Sequence, residues 1–317
     1  MRPEISVIVP VYNRAAMVGR AVASLQTQTF ENFEIIVVDD GSTDRSPDVI
    51  AGIRDPRVRL VTHSENRGIP AARNSGLAEA RGRYIAWLDS DDVARRERLA
   101  VQLAYLEAHP SVAMIGAAAG VVRSDRSRKL RPRRPPLTHE HIAATLLFRS
   151  AFQQSAIMGR ADVLRNYPYR LEFDVCEDVD MFIRLTREHR TANLNNVLID
   201  RCVHGGQTVH RESRRVVDKK KILFRDSLAQ LGIHATDEEL EKHVLLGNIK
   251  KTPVEREFLR WSEQWLAQIV ANSRTRLYDQ HALRAVATTV WRKAVRNVRP
   301  AWVPRFLLAW PEPKLAA

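Results

Sequence analysis

Apolar residues along the chain fall into two rhythms. Near-continuous β-branched runs, ISVIVPVY (5–12), FEIIVVDD (33–40), VRLVTH (58–63) and YIAWL (84–88), have the pattern of strands buried on both faces. Between them, residues 15–28 place Met17, Val18, Ala21, Val22 and Leu25 at helical spacing, and IPAARNSGLAEA (69–80) reads as a second helix. Strands alternating with helices predict an α/β fold, with right-handed crossovers and a mainly parallel central sheet flanked by helices. Further on, Val179, Phe182, Ile183 and Leu185 in CEDVDMFIRL (176–185) predict a helix with one buried side. Beyond about 211 the pattern turns helical, with amphipathic stretches at 211–232 and 254–271. RSDRSRKLRPRRPP (123–136) breaks both rhythms and reads as a loop between a first half, about 1–122, and a second, about 137–210. No internal repeat is present.

Charge changes this picture in one region. The 317 residues carry a formal net charge of +13. Residues 1–210 hold 29 Lys and Arg against 25 Asp and Glu, whereas residues 211–317 hold 21 against 12. A basic C-terminal third implies an anionic partner (membrane surface, acidic polymer or nucleic acid), although a merely soluble basic surface explains it equally well. Two cysteines, Cys176 and Cys202, are too few for a disulfide framework or a cysteine-rich metal site. No apolar run reaches the roughly 18 residues of a membrane span. The first residues enter a strand pattern without a signal-peptide core, so a cytoplasmic location is expected.

Polar residues collect where the strands end. Asn13 follows the first strand, Asp39 and Asp40 close the second, and Asp89, Ser90, Asp91 and Asp92 follow the fourth. In parallel sheets, ligands bind outside the carboxyl ends of the strands. Three carboxylates within four positions repel one another, and a hard divalent cation with phosphate oxygens would offset that repulsion. The plainer reading is a solvated turn that caps a helix. VVDDGSTD (37–44) is open in the same way: its carboxylates would accept from a base N–H and ribose hydroxyls, or its Asp and Ser residues would simply cap the next helix. Neither GxGxxG nor GxxxxGK[ST] occurs, so a dinucleotide or P-loop cradle is excluded.

Taken together, PVYNR (10–14), VVDDGSTD (37–44), NRGIPAARNSG (66–76), LDSDD (88–92) and EDVDMFIRL (177–185) resemble, in order and spacing, the family 2 glycosyltransferases. The resemblance covers roughly residues 4–210 and implies the GT-A fold and transfer of a sugar from a nucleotide diphosphate with inversion. It implies that Pro10 and Tyr12 flank the nucleoside and that Asp40 contacts uracil, with Asp39 beside it as a structural or secondary ligand. Asn66, Arg73 and Asn74 would line the nucleotide pocket, Arg73 either by direct contact or as a salt bridge behind the aspartates. Asp89 would reach ribose with Ser90 beside it, and Asp91 and Asp92 would lie nearest the metal, Mn²⁺ or Mg²⁺, and the diphosphate. Asp178 matches the catalytic base, and Glu177, Gln153 and Gln154 fall on the sugar and acceptor side. In RCVHGGQTVH (201–210), Arg201 would neutralise the diphosphate and His204 would approach the metal. Gly205 and Gly206 would let that loop close, and His210 is a weaker match. Cys176 reads as a packing residue. No QxxRW follows Asp178, which points away from processive polymerising relatives.

These readings predict a GT-A catalytic domain at 1–210 and a basic, Trp-containing helical region at 211–317. The expected activity is metal-dependent, inverting transfer from a UDP-sugar to a glycan or lipid-linked acceptor. A catalytically silent sugar-nucleotide or glycan-binding subunit is the alternative. Nucleotidyl transfer would need a glycine-rich, basic loop after the first strand, and PVYNRAAMVGR is not one. Basic and aromatic residues interleave at 292–310, which would suit an anionic membrane surface, packing on the protein itself or contact with a second copy. A nucleic-acid partner is not expected, because no recognisable module is present.

Overall fold

A computed structural model of the chain describes residues 2–123, 129–203, 213–249, 254–272 and 278–297. The chain divides into two compact units, residues 1–139 with 152–211, and residues 140–151 with 212–317.

In the first unit the apolar runs become strands. β1 (Ile5–Val11) is buried at every position and lies between β2 (Phe33–Asp39) and β4 (Tyr84–Trp87), both parallel to it. β3 (Val58–Thr62) extends this parallel set beyond β2. Helices α1 (Ala15–Gln26), α2 (Ser46–Ala51) and α3 (Ile69–Glu79) are the crossovers. Small residues let α3 approach β1 closely: a Cβ on Gly76 would lie 2.3 Å from Ile8 Cγ2. A two-residue strand, β5 (Val93–Ala94), and α4 (Arg98–Ala108) lead to the long β6 (Val112–Arg123).

Beyond β4 the sheet is mixed. Its order is β3-β2-β1-β4-β8-β6-β9-β5, where β8 is Met158–Arg160 and β9 is Arg190–Val203. β8 is antiparallel to both β4 and β6, and β6 runs parallel to β9. The basic segment expected to be a loop is partly a strand. β7 (Lys129–Arg133) pairs antiparallel with the end of β6, its register shifted by an irregularity. Edge pairing accommodates Pro132, whose missing N–H would break an interior ladder; residues 124–128 lie outside the described set.

The second unit is helical. It takes most of α5 (His139–Leu146), together with Leu147 and Phe148. After α6 (Ala161–Leu164) and α7 (Glu177–Glu188) of the first unit, it continues with α8 (Ser213–Ala229), α9 (Asp237–Asn248), α10 (Arg256–Asn272) and α11 (Gln280–Arg296). His243 shows why 140–151 belongs there. Its Nε2–H donates to Leu147 O at 2.8 Å, its Nδ1 accepts from Trp265 Nε1 at 3.0 Å, and its ring stacks on Phe148. The helix wall is closed by Gly247, where a Cβ would lie 2.0 Å from Phe148 O. Trp291, Ala294 and Val295 of α11 are buried, so the start of the basic-aromatic stretch at 292–310 forms part of this core. Trp302, Trp310 and the rest of that stretch lie outside the described residues. Among the described residues, no helix is long and apolar enough to cross a membrane.

Candidate active site

The ends of β1 and β2 are latched together by their polar residues. Asn13 adopts a left-handed conformation (φ 52°). Its backbone N–H donates to Ser42 Oγ at 2.9 Å, and its Oδ1 accepts from Thr43 N at 2.8 Å. Asp44 accepts from Ala15 N at 3.1 Å at the start of α1, and also from Ser46. Burial would raise the Asp44 pKa, but these donors outweigh it and hold the carboxyl below its usual range. Asp44 thus ties the first residues of α1 and α2 together, although neither helix has a side-chain hydrogen bond from its own N-cap residue. Pro10 is buried in β1, whereas Tyr12 just beyond it is 42 % exposed.

The DD pair divides its tasks differently from the expectation. Asp40 is buried and its carboxylate accepts four hydrogen bonds: from His63 Nδ1 (2.6 Å), Asn66 Nδ2 (3.0 Å), Arg67 N (3.0 Å) and Gly68 N (2.8 Å). It shapes the 63–68 loop. Asn66, expected in the nucleotide pocket, is one of its donors. Asp39 is equally buried, yet its Oδ1 has no hydrogen-bond partner. An orphaned carboxylate oxygen at a strand exit is the better candidate for a ligand donor. Gly41 makes the turn possible, with φ 69° and a Cβ position only 2.4 Å from Glu65 C.

After β4, the DSDD turn sits on a polar network. Asp92 is buried; its Oδ2 accepts from Ser155 Oγ at 2.5 Å and its Oδ1 from Cys202 N at 2.9 Å. Ser155 Oγ also accepts from Asp89 N at 3.1 Å. Burial, reinforced by the charges of Asp91 and Asp89, pushes the Asp92 pKa up to about 8 against those two donors. Asp92 thus ties the turn to β9. Ser90 is buried, while Asp89 and Asp91 are partly exposed. Arg20 of α1 donates to Asp91 O at 3.3 Å.

Arg73 joins the two acidic motifs. Its buried guanidinium donates to Asp89 at 3.0 Å and, through its other terminal nitrogen, to Glu177. Burial would lower the Arg73 pKa, but Glu177 and Asp89 outweigh it and keep the group protonated. Burial raises the pKa of Glu177, opposed by Arg73 and reinforced by Asp178 beside it. Arg73 thus ties the DSDD turn to Glu177, its buried partner at the start of α7. Asn74 exchanges hydrogen bonds with the Tyr169 backbone at 2.7 and 2.8 Å.

Asp178 lies in the first turn of α7, partly exposed, and its Oδ1 accepts from Val179 N at 2.8 Å. Cys176 precedes the helix in a left-handed conformation (φ 65°). Asp180, one turn on, is buried and pairs with both Arg170 and Arg184, clamping the preceding loop to α7. Gln154 is buried and donates to Tyr169 Oη at 2.7 Å, while Gln153 is partly exposed. Arg201 is part of β9. His204, Gly205, Gly206 and His210 lie outside the described residues. His63, Ser155 and Tyr169 are single polar residues outside the site motifs and carry no signal until the chain folds them under one, whereas Asp180 lies within EDVDMFIRL but nothing in the sequence sets it apart there.

Among the described residues, no three His, Cys, Asp or Glu side chains converge as a ready-made metal cage. Mg²⁺ and comparable ions that retain water and substrate phosphates need only one or two carboxylates. Asp89 and Asp91, hard oxygen donors partly exposed at a strand end, satisfy that requirement.

The family model described as "Glycosyl transferase family 2" matches residues 6–167. An uncharacterized glycosyltransferase of Haemophilus influenzae is 28% identical over 217 residues, 65% of this chain and 67% of that protein. The succinoglycan biosynthesis protein ExoO of Rhizobium meliloti is 47% identical over 97 residues, 31% of this chain but 28% of its own length. The putative teichuronic acid biosynthesis glycosyltransferase TuaG of Bacillus subtilis is 39% identical over 107 residues, 33% of this chain and 42% of its own. The chain therefore spans less than half the length of these two relatives. In solved structures, S. aureus TarS 1-349 in complex with UDP superposes with a TM-score of 0.57 at 18% identity, over 92% of this chain and 90% of that one. Mannosyltransferase PcManGT from Pyrobaculum calidifontis, in complex with GDP-Man and Mn²⁺, gives 0.56 at 18% identity, over 95% and 82%.

Proposed function

The chain belongs to glycosyl transferase family 2, and from that premise we propose that it transfers a sugar with inversion from a UDP-sugar to a hydroxyl of a cell-envelope glycan or lipid-linked acceptor. One observation carries this reading: Arg73 bridges Asp89 to Glu177, so the strand-exit carboxylates and the turn bearing Asp178 form a single site. Inversion in one step requires a base that takes the acceptor proton as its oxygen attacks opposite the leaving diphosphate. Asp178 is that base. The amino end of α7 favours its ionised form, and Glu177, paired behind it, orients the turn.

Asp91 with Asp89 would hold a divalent ion, which when bound supplies positive charge for the leaving diphosphate. The orphaned Oδ1 of Asp39 would accept an N–H of the donor base. TarS in complex with UDP or UDP-GlcNAc supports uridine as the nucleoside, and the names of ExoO and TuaG support a polysaccharide acceptor.

Nucleotide release measured across UDP- and GDP-sugars, with Mn²⁺ or Mg²⁺, tests the activity. Asp178→Asn is expected to cut transfer by about 10²- to 10⁴-fold while calorimetric UDP affinity stays unchanged. Turnover that survives the substitution removes Asp178 from this role. Binding of UDP with no turnover on any donor would favour the silent-subunit alternative.

A further inference from the structure

The other end of the sheet holds a concentration of positive charge that sugar transfer does not use. Arg2, Arg81, Arg83, Arg160 and Arg165 gather around the start of β1 and β4, whereas the candidate active site lies where those strands finish. At roughly 3.3 Å per residue, the length of β1 alone separates the two ends by about 20 Å.

Two guanidiniums are anchored on successive carbonyls at the end of α3: Arg165 donates to Ala80 O at 2.8 Å, and Arg2 donates through Nε to Arg81 O at 2.7 Å. Arg81 itself is exposed on the same turn. These three arginines, with Pro3 and Ala80, line a cleft of about 480 Å³ that contains no carboxylate. It adjoins a second cleft of about 250 Å³, to which Arg83, Tyr84, Arg160 and Asp162 contribute. There the Arg83 and Arg160 guanidiniums lie over the Tyr84 ring at 5.6 and 5.7 Å, and Arg160 is fixed by Val112 O and Leu106 O.

The local negative charge does not balance five arginines. Glu4 is taken up by Arg83 at 2.8 Å, Glu34 (which also accepts from Arg81 N) and Glu79 are taken up by Arg59 at 3.0 and 3.2 Å, and Asp162 is the carboxylate lining the second cleft. The carboxyl end of α3 adds about half a negative charge. Like charges held together by main-chain anchors repel until an anion enters between them. A guanidinium fork suits the oxygens of a phosphate, to which it donates two parallel hydrogen bonds.

We propose that this cleft binds a phosphate-type anion, either a soluble phosphate or a lipid phosphodiester headgroup. Calorimetry with inorganic pyrophosphate on the full chain tests the first source. Co-flotation with phosphatidylcholine vesicles, with and without phosphatidylglycerol, tests the second. Uptake in either arm is expected to weaken at least tenfold in Arg81→Glu/Arg165→Glu and to fall with added salt. Circular dichroism and nucleotide affinity should remain at their original values. Arg81→Gln, at an exposed side chain, gives a smaller loss and serves if the double variant does not fold. Pyrophosphate held only at the strand exits would survive the double substitution. That result, or wild-type protein ignoring both probes, overturns the proposal.

Discussion

The neighbouring aspartates that close β2 show how much chemistry one position along the chain can change. Asp40 spends its carboxylate on four donors from the 63–68 loop, while Asp39 keeps an oxygen without a partner. The two Asn substitutions should therefore fail differently. Asp39→Asn is expected to weaken UDP binding at least tenfold with little change in urea midpoint. Asp40→Asn should lower that midpoint, since a hydrogen bond to a charged group contributes about 1.5–3 kcal/mol. Calorimetry and urea unfolding on both variants check the division. The sequence made the pair visible as a strand-end cluster but could not rank its members. Which carboxylate is consumed depends on His63 and Gly68, more than 20 positions away. Asp92 is a similar case. It belongs to a motif of exposed acids, yet Ser155 and Cys202, both distant along the chain, bind it to the interior.

At the level of elements, the strongly periodic segments were readable and the junctions were not. β1, β2 and α7 follow directly from their apolar spacing. β7 was hidden because proline and dense positive charge mask a strand that, among the described residues, pairs with the end of β6. The turn after β2 depends on Gly41, whose positive φ and proximity to Glu65 exclude a side chain. Gly41→Ala is expected to cost at least about 1–2 kcal/mol from the left-handed conformation alone, before the clash is counted. Urea unfolding should report that loss, and limited proteolysis should find the 63–68 loop cleaved faster than in wild type.

Across the whole molecule, the division into two units also runs against the linear order of the chain, because 140–151 packs with helices that begin some 60 residues later. His243 records that arrangement in a titration. Burial lowers its pKa to about 4, only partly offset by its hydrogen bond to Leu147 O. Between about 4 and its ordinary 6.5 the folded state binds fewer protons than the unfolded one, so stability falls as pH drops through that window. The full difference corresponds to about 3 kcal/mol. Urea unfolding at pH 7 and pH 4.5 should show most of this loss. His243→Gln, which retains a donor and an acceptor, should flatten the dependence.

The shared guanidinium of Arg73 has a mechanical consequence. One buried cation is shared by acids on two separate elements, so pulling the DSDD turn away from α7 would break one of its two charge-assisted hydrogen bonds, at a cost of about 1.5–3 kcal/mol. The turn that would grip the leaving group and the helix that would accept the proton are therefore yoked, and a displacement at either one travels to the other as rigid motion.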